Sequence, residues 1–411
     1  MIADNPFFGP SAGTWVTVAH GEGPYVNTRR ALARVDLSAS RGKRVLLKPN
    51  AGRVAPPESG VTTHPEAVAA AIDAFREAGA EVAVGESPIA GVQVQEAFEV
   101  TGIAAVARTR HCPLIDLDCR PFVEVPIPQG RVIHHLQVCP EVLEHDLLVS
   151  MPVAKMHMHT GVTLSVKNMK GCLWRRSKVQ LHMLPPVDGT DHKPIDLAIA
   201  DLASVLRPHL AVIDGAVGME GLGPSAGQAK RLDAVVVGAD AFAADAVACQ
   251  LMGMQAEAVP HLRIGAERGY GVIDPGRITV TPEHWRDWIS PFVPPPRNLQ
   301  IEFPNITVLD NNSCSACQST LLLFLRSYRD RLFDYFPSEF PIHIAIGRGH
   351  TDLPEGTLCI GNCTAAHKTR GLFVPGCPPV SSGILAALGQ SAVDTADGRI
   401  APPDAGSSPT V

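Results

Sequence analysis

Four cysteines near the carboxyl end of this 411-residue chain are spaced to share one inorganic cluster. They lie in three short segments: Ser313-Cys314-Ser315-Ala316-Cys317, Gly361-Asn362-Cys363 and Val374-Pro375-Gly376-Cys377-Pro378-Pro379. Thiolates are soft ligands, and four of them can complete the open coordination position on each iron of a cubane. Cys314, Cys317, Cys363 and Cys377 are therefore expected to bind a [4Fe-4S] cluster. Small neighbours (Ser315, Ala316, Gly361, Gly376) let backbone N–H groups approach cluster sulfides, and Pro378 and Pro379 stiffen the last loop. Two alternatives stay open on the residues alone. Zinc also accepts four thiolates, although zinc ribbons usually pair two Cys-x-x-Cys knuckles and only one occurs here. The thiols could also be buried and unligated. Cys359 lies just upstream of the middle segment with no role that spacing assigns. Cys112, Cys119, Cys139, Cys172 and Cys249 lack partners at ligand spacing and are read as buried structural thiols.

A second constellation lies in the amino-terminal half. Lys48-Pro49-Asn50 is followed by Thr62-Thr63-His64-Pro65-Glu66. Further on come Lys155-Met156-His157-Met158-His159 and Lys167-Asn168-Met169-Lys170-Gly171. Lys48, Lys155 and Lys167 are suited to a carboxylate or phosphate, with Asn50 and Asn168 orienting it. His64, His157 and His159 are candidates for acid–base work or metal ligation, and Asp214 would pair with His64 if both reached one cleft. The competing reading is plainer: Lys167 and Asn168 satisfy a tight turn, and the histidines are surface groups. Gly218, Gly221 and Gly223 read as a flexible acidic loop. They do not form a Gly-x-Gly-x-x-Gly dinucleotide turn, and no Walker-type phosphate loop occurs.

The elements that must position these residues follow an α/β pattern. Arg44 to Asn50 is a buried strand ending in a polar loop, His64-Pro65-Glu66 opens a helix running to Ala78, and Glu81 to Gly85 is the next strand. Strand patterns recur at Asp146 to Ser150, His209 to Asp214 and Asp233 to Gly238, with helices over Asp196 to Leu206 and Asp240 to Met252. This predicts an open, mostly parallel sheet over residues 1–290, whose ligands bind outside the carboxyl ends of the strands. A Pro-rich stretch at 291–300 reads as a linker. Residues 301–393 form a smaller α/β unit carrying the cysteines, with strands at Ile306 to Asp310 and Ile342 to Ile346 and a helix from about Ser319 to Arg331. The tail, 394–411, is expected to be disordered.

Composition bounds the answer. With 45% hydrophobic and 18% charged residues, a net charge of −6 and a pI near 6.2, the chain has no electrostatic footprint for nucleic acid. The one dense basic run, Lys167 to Lys178, is too local to coat a duplex and suits a small anion. No signal-peptide pattern opens the chain, and the apolar run Leu321 to Leu325 is far below the ~18 residues of a membrane span. A cytoplasmic, reducing setting is expected, where cysteines serve as thiols or metal ligands.

Two resemblances add to this reading. The Lys-Pro-Asn strand end, the Thr-Thr-His-Pro helix start and the Ser165-Val166-Lys167-Asn168-Met169-Lys170-Gly171 turn occur in order. They are followed by Asp214-Gly215, Gly218-Met219-Glu220-Gly221, and Gly238-x-Asp240 with Asp245. Together, from Arg44 to Gly253, they resemble the family catalogued as domain of unknown function 362, whose members commonly carry iron–sulfur segments. The second resemblance spans Asn305 to Leu388. Its Cys-x-x-Cys-Gln-Ser, Gly-x-Cys and Val-Pro-Gly-Cys-Pro-Pro elements resemble the small subunit of nickel–iron hydrogenases and the related cluster subunit of complex I. In those proteins the matching cysteines hold a [4Fe-4S] cluster. Here the spacing between Cys363 and Cys377 is shorter and Ser313 stands where an acidic residue is expected.

The resulting expectation is an iron–sulfur redox protein with one [4Fe-4S] cluster. It would pass electrons to a small anionic substrate or cofactor in the amino-terminal body and work with a redox partner protein. Two rivals are an electron-transfer or assembly module docking onto a larger redox enzyme, and a non-redox isomerase or hydrolase with a structural metal site.

Overall fold

A computed structural model of the chain describes residues 5–8, 13–89, 91–185, 187–295, 303–336 and 341–397. It divides into two compact units, Met1–Arg297 and Asn298–Val411.

The first unit is built on a ten-stranded mixed sheet. The chain enters it at β1 (Thr14–His20), then supplies β2 (Arg44–Pro49), β3 (Glu81–Glu86) and β4 (Leu114–Asp116). A separate two-stranded ribbon, β5 (Val123–Pro126) and β6 (His135–Val138), intervenes before β7 (Leu147–Met151). Next come a short hairpin, β8 (Val153–His157) and β9 (Gly161–Thr163), a long one, β10 (Leu210–Glu220) and β11 (Gln228–Gly238), and finally β12 (Ile278–Thr281). The main path runs β12-β1-β11-β10-β7-β2-β3-β4, with β8 joined to β10 and β9. From β10 to β4 every neighbour is parallel, because helices carry the chain back over the sheet between strands.

Alternation along the strands sorts side chains into two cores. Val45 and Leu47 face one apolar cluster and Leu46 the other; Val235 and Val237 part from Val236 in the same way. The helix Pro65–Glu77 begins as its sequence dictates. Pro65 occupies the first turn, and the His64 ring accepts the Glu66 N–H at 3.2 Å as an N-cap.

Three expectations change. Gly218 to Glu220 is not a loop but the end of β10, paired with Lys230, Ala229 and Gln228 of β11. A Cβ on Gly218 would lie 2.3 Å from the Ala154 carbonyl oxygen and 2.9 Å from the Phe292 ring, so glycine is there to admit β8 and Phe292 closely. The linker segment begins docked rather than free: Phe292 is buried, its N–H donates to Met252 O at 2.9 Å, and Val293 N–H donates to Glu220 Oε2 at 3.0 Å. Residues 296–300 of that segment lie outside the described residues. Cys119 is exposed, in a turn after β4, whereas the other four cysteines read as structural are buried.

The second unit has four parallel strands in sequential order: β13 (Ile306–Asp310), β14 (Ile342–Ile346), β15 (Leu358–Ile360) and β16 (Phe373–Val374). The helix after β13 spans Ser315–Leu332, four residues longer at its start than expected, with Cys314 as N-cap. The last helix runs Ser381–Asp397, so residues 394–397 are helical; 398–411 of the expected tail lie outside the described residues.

Candidate functional site

Parallel strands deliver their carboxyl ends to one edge, and the lysine segments meet there. Lys48, at the end of β2, is 1% exposed. Its ammonium donates to Glu86 Oε2 (2.9 Å), Pro49 O (2.8 Å) and Asn168 Oδ1 (3.2 Å), which uses all three N–H bonds. Glu86, at the end of the neighbouring β3, also accepts Ala51 N–H at 2.8 Å and Ser87 N–H at 2.9 Å. Asn168 closes the knot by donating to Lys48 O and Ser150 Oγ and accepting from Asn50 Nδ2. Gly171 is the lid. A Cβ there would sit 2.6 Å from Lys48 Nζ and 2.9 Å from Glu86 Oε1.

Lys155, buried in β8, donates to Asn50 Oδ1 (2.8 Å) and Val61 O (2.6 Å). Asn50 thus touches both the Lys155 and Asn168 side chains, and the tight-turn reading of Asn168 falls short of the four groups its side chain bonds. Lys167 is different. Its one hydrogen bond among the described residues goes to Thr163 Oγ1 at 3.4 Å, the long limit for such a bond. Burial brings its pKa down to about 7; Asp196 opposes that fall and Arg53 adds to it. Burial also drives Lys155 and Lys170 well below the ordinary lysine value, with neighbouring cations adding to the effect.

The histidines are not surface groups. His157 and His159 are each 3% exposed, their ring centroids lie 5.9 Å apart, and His182 stands 6.4 Å from His159. His157 Nδ1 accepts the His159 N–H at 3.1 Å, and burial first, then Lys167, holds the His157 ring neutral by depressing its pKa. Lys170 contacts His182 Nε2. His64 and Asp214 do not form an acid–base pair. Asp214 Oδ2 accepts the backbone N–H of His64 at 2.6 Å and Oδ1 that of Ala216 at 3.0 Å, while the His64 ring faces Glu58 Oε1 at 3.2 Å.

Sequence reasoning gave no role to Glu86, Arg53 or His182, and named Asp245 only as part of the family motif. Glu86 had a usable signal, since it ends the strand that runs parallel to the Lys48 strand. Asp245 accepts Ser165 N–H (2.7 Å) and Val166 N–H (2.9 Å), which fixes the start of the Lys167 turn; burial raises its pKa to about 8. Summed over the neighbourhood, six basic side chains (Lys48, Arg53, Lys155, Lys167, Lys170, Lys178) face three carboxylates (Glu86, Asp118, Asp196). A buried excess of cations is costly unless an anion joins it.

The cysteine site is built by the second unit alone. Cys314 and Cys317 follow β13, Cys363 follows β15 and Cys377 follows β16, so parallel pairing sends three loops to the same edge. Asp310 ties the first loop by accepting Ser313 N–H (3.2 Å) and Gln318 Nε2 (2.9 Å). The other two loops are joined to each other: Asn362 N–H donates to Gly376 O (2.9 Å) and Gly376 N–H to Asn362 Oδ1 (2.8 Å). The Cys314 thiol is lowered to about 6, first by a hydrogen bond with Cys317; burial opposes, and backbone N–H groups of Cys317 and Ala316 assist. Cys317 is pushed the other way by that hydrogen bond, by burial, and by Cys314, Cys363 and Cys377 together. One thiol therefore senses the other three. Gly361 packs against Cys317 Sγ, where a Cβ would stand 3.4 Å away. Cys359 is excluded from the set, buried with Ala345 and Leu353 and turned toward His367 O at 3.6 Å. Among the described residues no group of three or more His, Cys, Asp or Glu is arranged to hold a single metal ion. A cubane asks for a different arrangement, since each thiolate binds its own iron. The donor set, the small residues and the N–H groups at the helix start fit that group.

Comparison with known proteins bears on the first unit. The profile described as Domain of unknown function (DUF362) matches residues 45–250. The chain belongs to the DUF362 family. That match holds the lysine–asparagine network, Glu86, Asp214 and Asp245, and ends before the cysteine unit. Within DUF362, the chain is 27% identical over 219 residues to the thylakoid-associated protein sll1697 of Synechocystis sp., covering 53% of this chain and 66% of that protein, just under two thirds of its length. Among solved structures, the lactate racemase apoprotein of Thermoanaerobacterium thermosaccharolyticum aligns with a TM-score of 0.40 at 14% identity, over 80% of this chain and 68% of that one. No chemistry is carried over from it. Among the described residues of this DUF362 member, no helix is long and apolar enough to cross a membrane.

Proposed function

We propose that this protein is an iron–sulfur redox protein: Cys314, Cys317, Cys363 and Cys377 hold one [4Fe-4S] cluster, and electrons pass to a small anion bound by the DUF362 unit. The observation that carries the anion half is the crowding of six buried or half-buried basic side chains against three carboxylates, which lowers the lysine pKa values unless an anion joins them. The observation that supports the cluster half is the convergence of four thiols from three loops, with Cys317 sensing all the others. When bound, such a cluster supplies one-electron transfer.

The residues divide the remaining work. Lys48 and Glu86 neutralise each other and set the floor of the site, so they serve position rather than binding. Arg53, Lys155, Lys167 and Lys170 are the basic groups without a carboxylate partner among the described residues, and a bound anion would keep them protonated. Asn50, held by Lys155 and Asn168, orients what binds there. His157, kept neutral by burial, can pass a proton without adding charge. All ten cysteines stand outside disulfides among the described residues, which suits a reducing cytoplasmic setting and a redox partner protein.

The test is anaerobic purification followed by dithionite reduction and EPR, then addition of small carboxylates and phosphates. The proposal expects a reduced-cluster signal that one class of anion perturbs or discharges, and loss of that response in Lys155→Met. A cluster signal indifferent to every anion would leave an electron carrier without a substrate site and refute the anion half.

A further inference from the structure

Of the buried lysines at the strand edge, one is unlike the rest. Lys48 donates to three acceptors, Lys155 to two, and Lys178 to Leu173 O at 3.0 Å and Ser87 Oγ with Asp118 Oδ2 at 3.5 Å. Lys170 abuts the His182 ring. Lys48 and Lys178 have carboxylate partners, whereas Lys155 and Lys170 are held by neutral groups. Lys167 has the single 3.4 Å contact with Thr163, no carboxylate within ion-pair distance among the described residues, and 8% exposure against 1% for Lys48 and 3% for Lys155. It sits on a four-residue helical turn, Ser165–Asn168, pinned by Asp245 through two backbone N–H groups, which fixes the backbone from which the side chain extends. A buried amine with no carboxylate partner can act as a nucleophile.

We infer that Lys167 forms an imine with its ligand, and that the ligand is therefore an anion carrying an aldehyde or ketone carbonyl, such as a 2-oxo carboxylate. This rests on the anion-site reading above: Arg53 and Lys155 would hold the acid group while the carbonyl meets Lys167. The step balances without an oxidant or reductant. The Lys167 Nζ lone pair forms a C–N bond to the carbonyl carbon, both amine hydrogens leave with the carbonyl oxygen as water, and a C=N bond remains. Burial supports this by leaving the amine about half unprotonated near neutral pH, a free-base fraction roughly a thousandfold above that of an ordinary lysine.

Glyoxylate and pyruvate are the probes, with cyanoborohydride to reduce any imine to a stable secondary amine and peptide mapping to locate it. The expected result is an adduct at Lys167 at least about a hundredfold over the exposed Lys368, given that free-base advantage, rising with pH through about 7 and absent in Lys167→Arg. Calorimetry separates the two ideas. For the wild-type protein, lactate keeps the carboxylate and lacks the carbonyl, so its binding reads the anion site apart from the imine. Adducts only on exposed lysines, with lactate binding intact, would overturn the imine and leave the anion site standing. No lactate or pyruvate binding and no adduct in the wild-type protein would overturn both. Mapping on the wild-type chain decides the matter even if Lys167→Arg does not fold.

Discussion

The Lys48–Glu86 pair tests whether the floor of the site is structural. Both side chains are buried, 1% and 2% exposed, and they meet at 2.9 Å. Glu86→Gln removes the only carboxylate within ion-pair distance of Lys48 among the described residues, and it places an NH2 group against either Ala51 N–H or Ser87 N–H. Removing one partner of a buried pair costs about 3–5 kcal/mol, because a charge is left uncompensated. Lys48→Met should cost a similar amount, since it strands Glu86 with two backbone N–H donors and leaves Asn168 Oδ1 with Asn50 Nδ2 alone. The double variant leaves no buried charge, so its cost should fall short of the sum by about 2–3 kcal/mol. At roughly 2–4 °C per kcal/mol for a unit of this size, each single variant should melt about 6–20 °C below the wild type. Differential scanning calorimetry of the full chain reads this directly. Single variants melting within about 2 °C of the wild type, or strictly additive losses, would refute the reasoning, because the pair would then not be dry.

Other outcomes follow from the same geometry. Gly171→Ala drives a methyl to within 2.6 Å of Lys48 Nζ; it should destabilise by about 1–3 kcal/mol through overpacking, and a melting temperature equal to the wild type would refute the lid. Asp245→Asn keeps one acceptor of two for Ser165 and Val166 N–H, so it should cost about 1–3 kcal/mol, measurable by urea unfolding. The Lys167 amine has a folded pKa of about 7, below its unfolded value, so the folded state binds fewer protons between pH 7 and about 10 and stability rises with pH across that window. Non-covalent anion affinity runs the other way, weakening about tenfold per pH unit above 7 as the charge is lost; calorimetric affinity that is flat with pH would contradict this.

Much of the fold was legible because its signals are local. β2, β3, β7 and the helix Pro65–Glu77 stand within a residue or two of where their apolar runs and the His-Pro start placed them. β10 was read only as far as Asp214, because Gly218 and Glu220 read as loop; the reason for glycine, close approach by β8 and Phe292, is a tertiary fact. The helix after β13 was read four residues short because cysteine carries no capping signal, although Cys314 occupies the cap. At the site, the lysines and asparagines were found by type and spacing. Their roles were not, because Lys48 and Lys167 differ only in partners that lie far along the chain or are missing: Glu86 is 38 residues from Lys48, and among the described residues no carboxylate lies within ion-pair distance of Lys167. The same limit hid Asp214, whose carboxylate serves the His64 backbone rather than its ring.

The central claim is that four thiols from three loops share one cluster. Anaerobically purified wild-type protein and Cys377→Ser should be assayed for iron and acid-labile sulfide. The account predicts about four irons and as many sulfides per wild-type chain, and a sharp loss of both in the variant. Equal iron in the two proteins, or zinc in place of iron and no sulfide in the wild type, would contradict it.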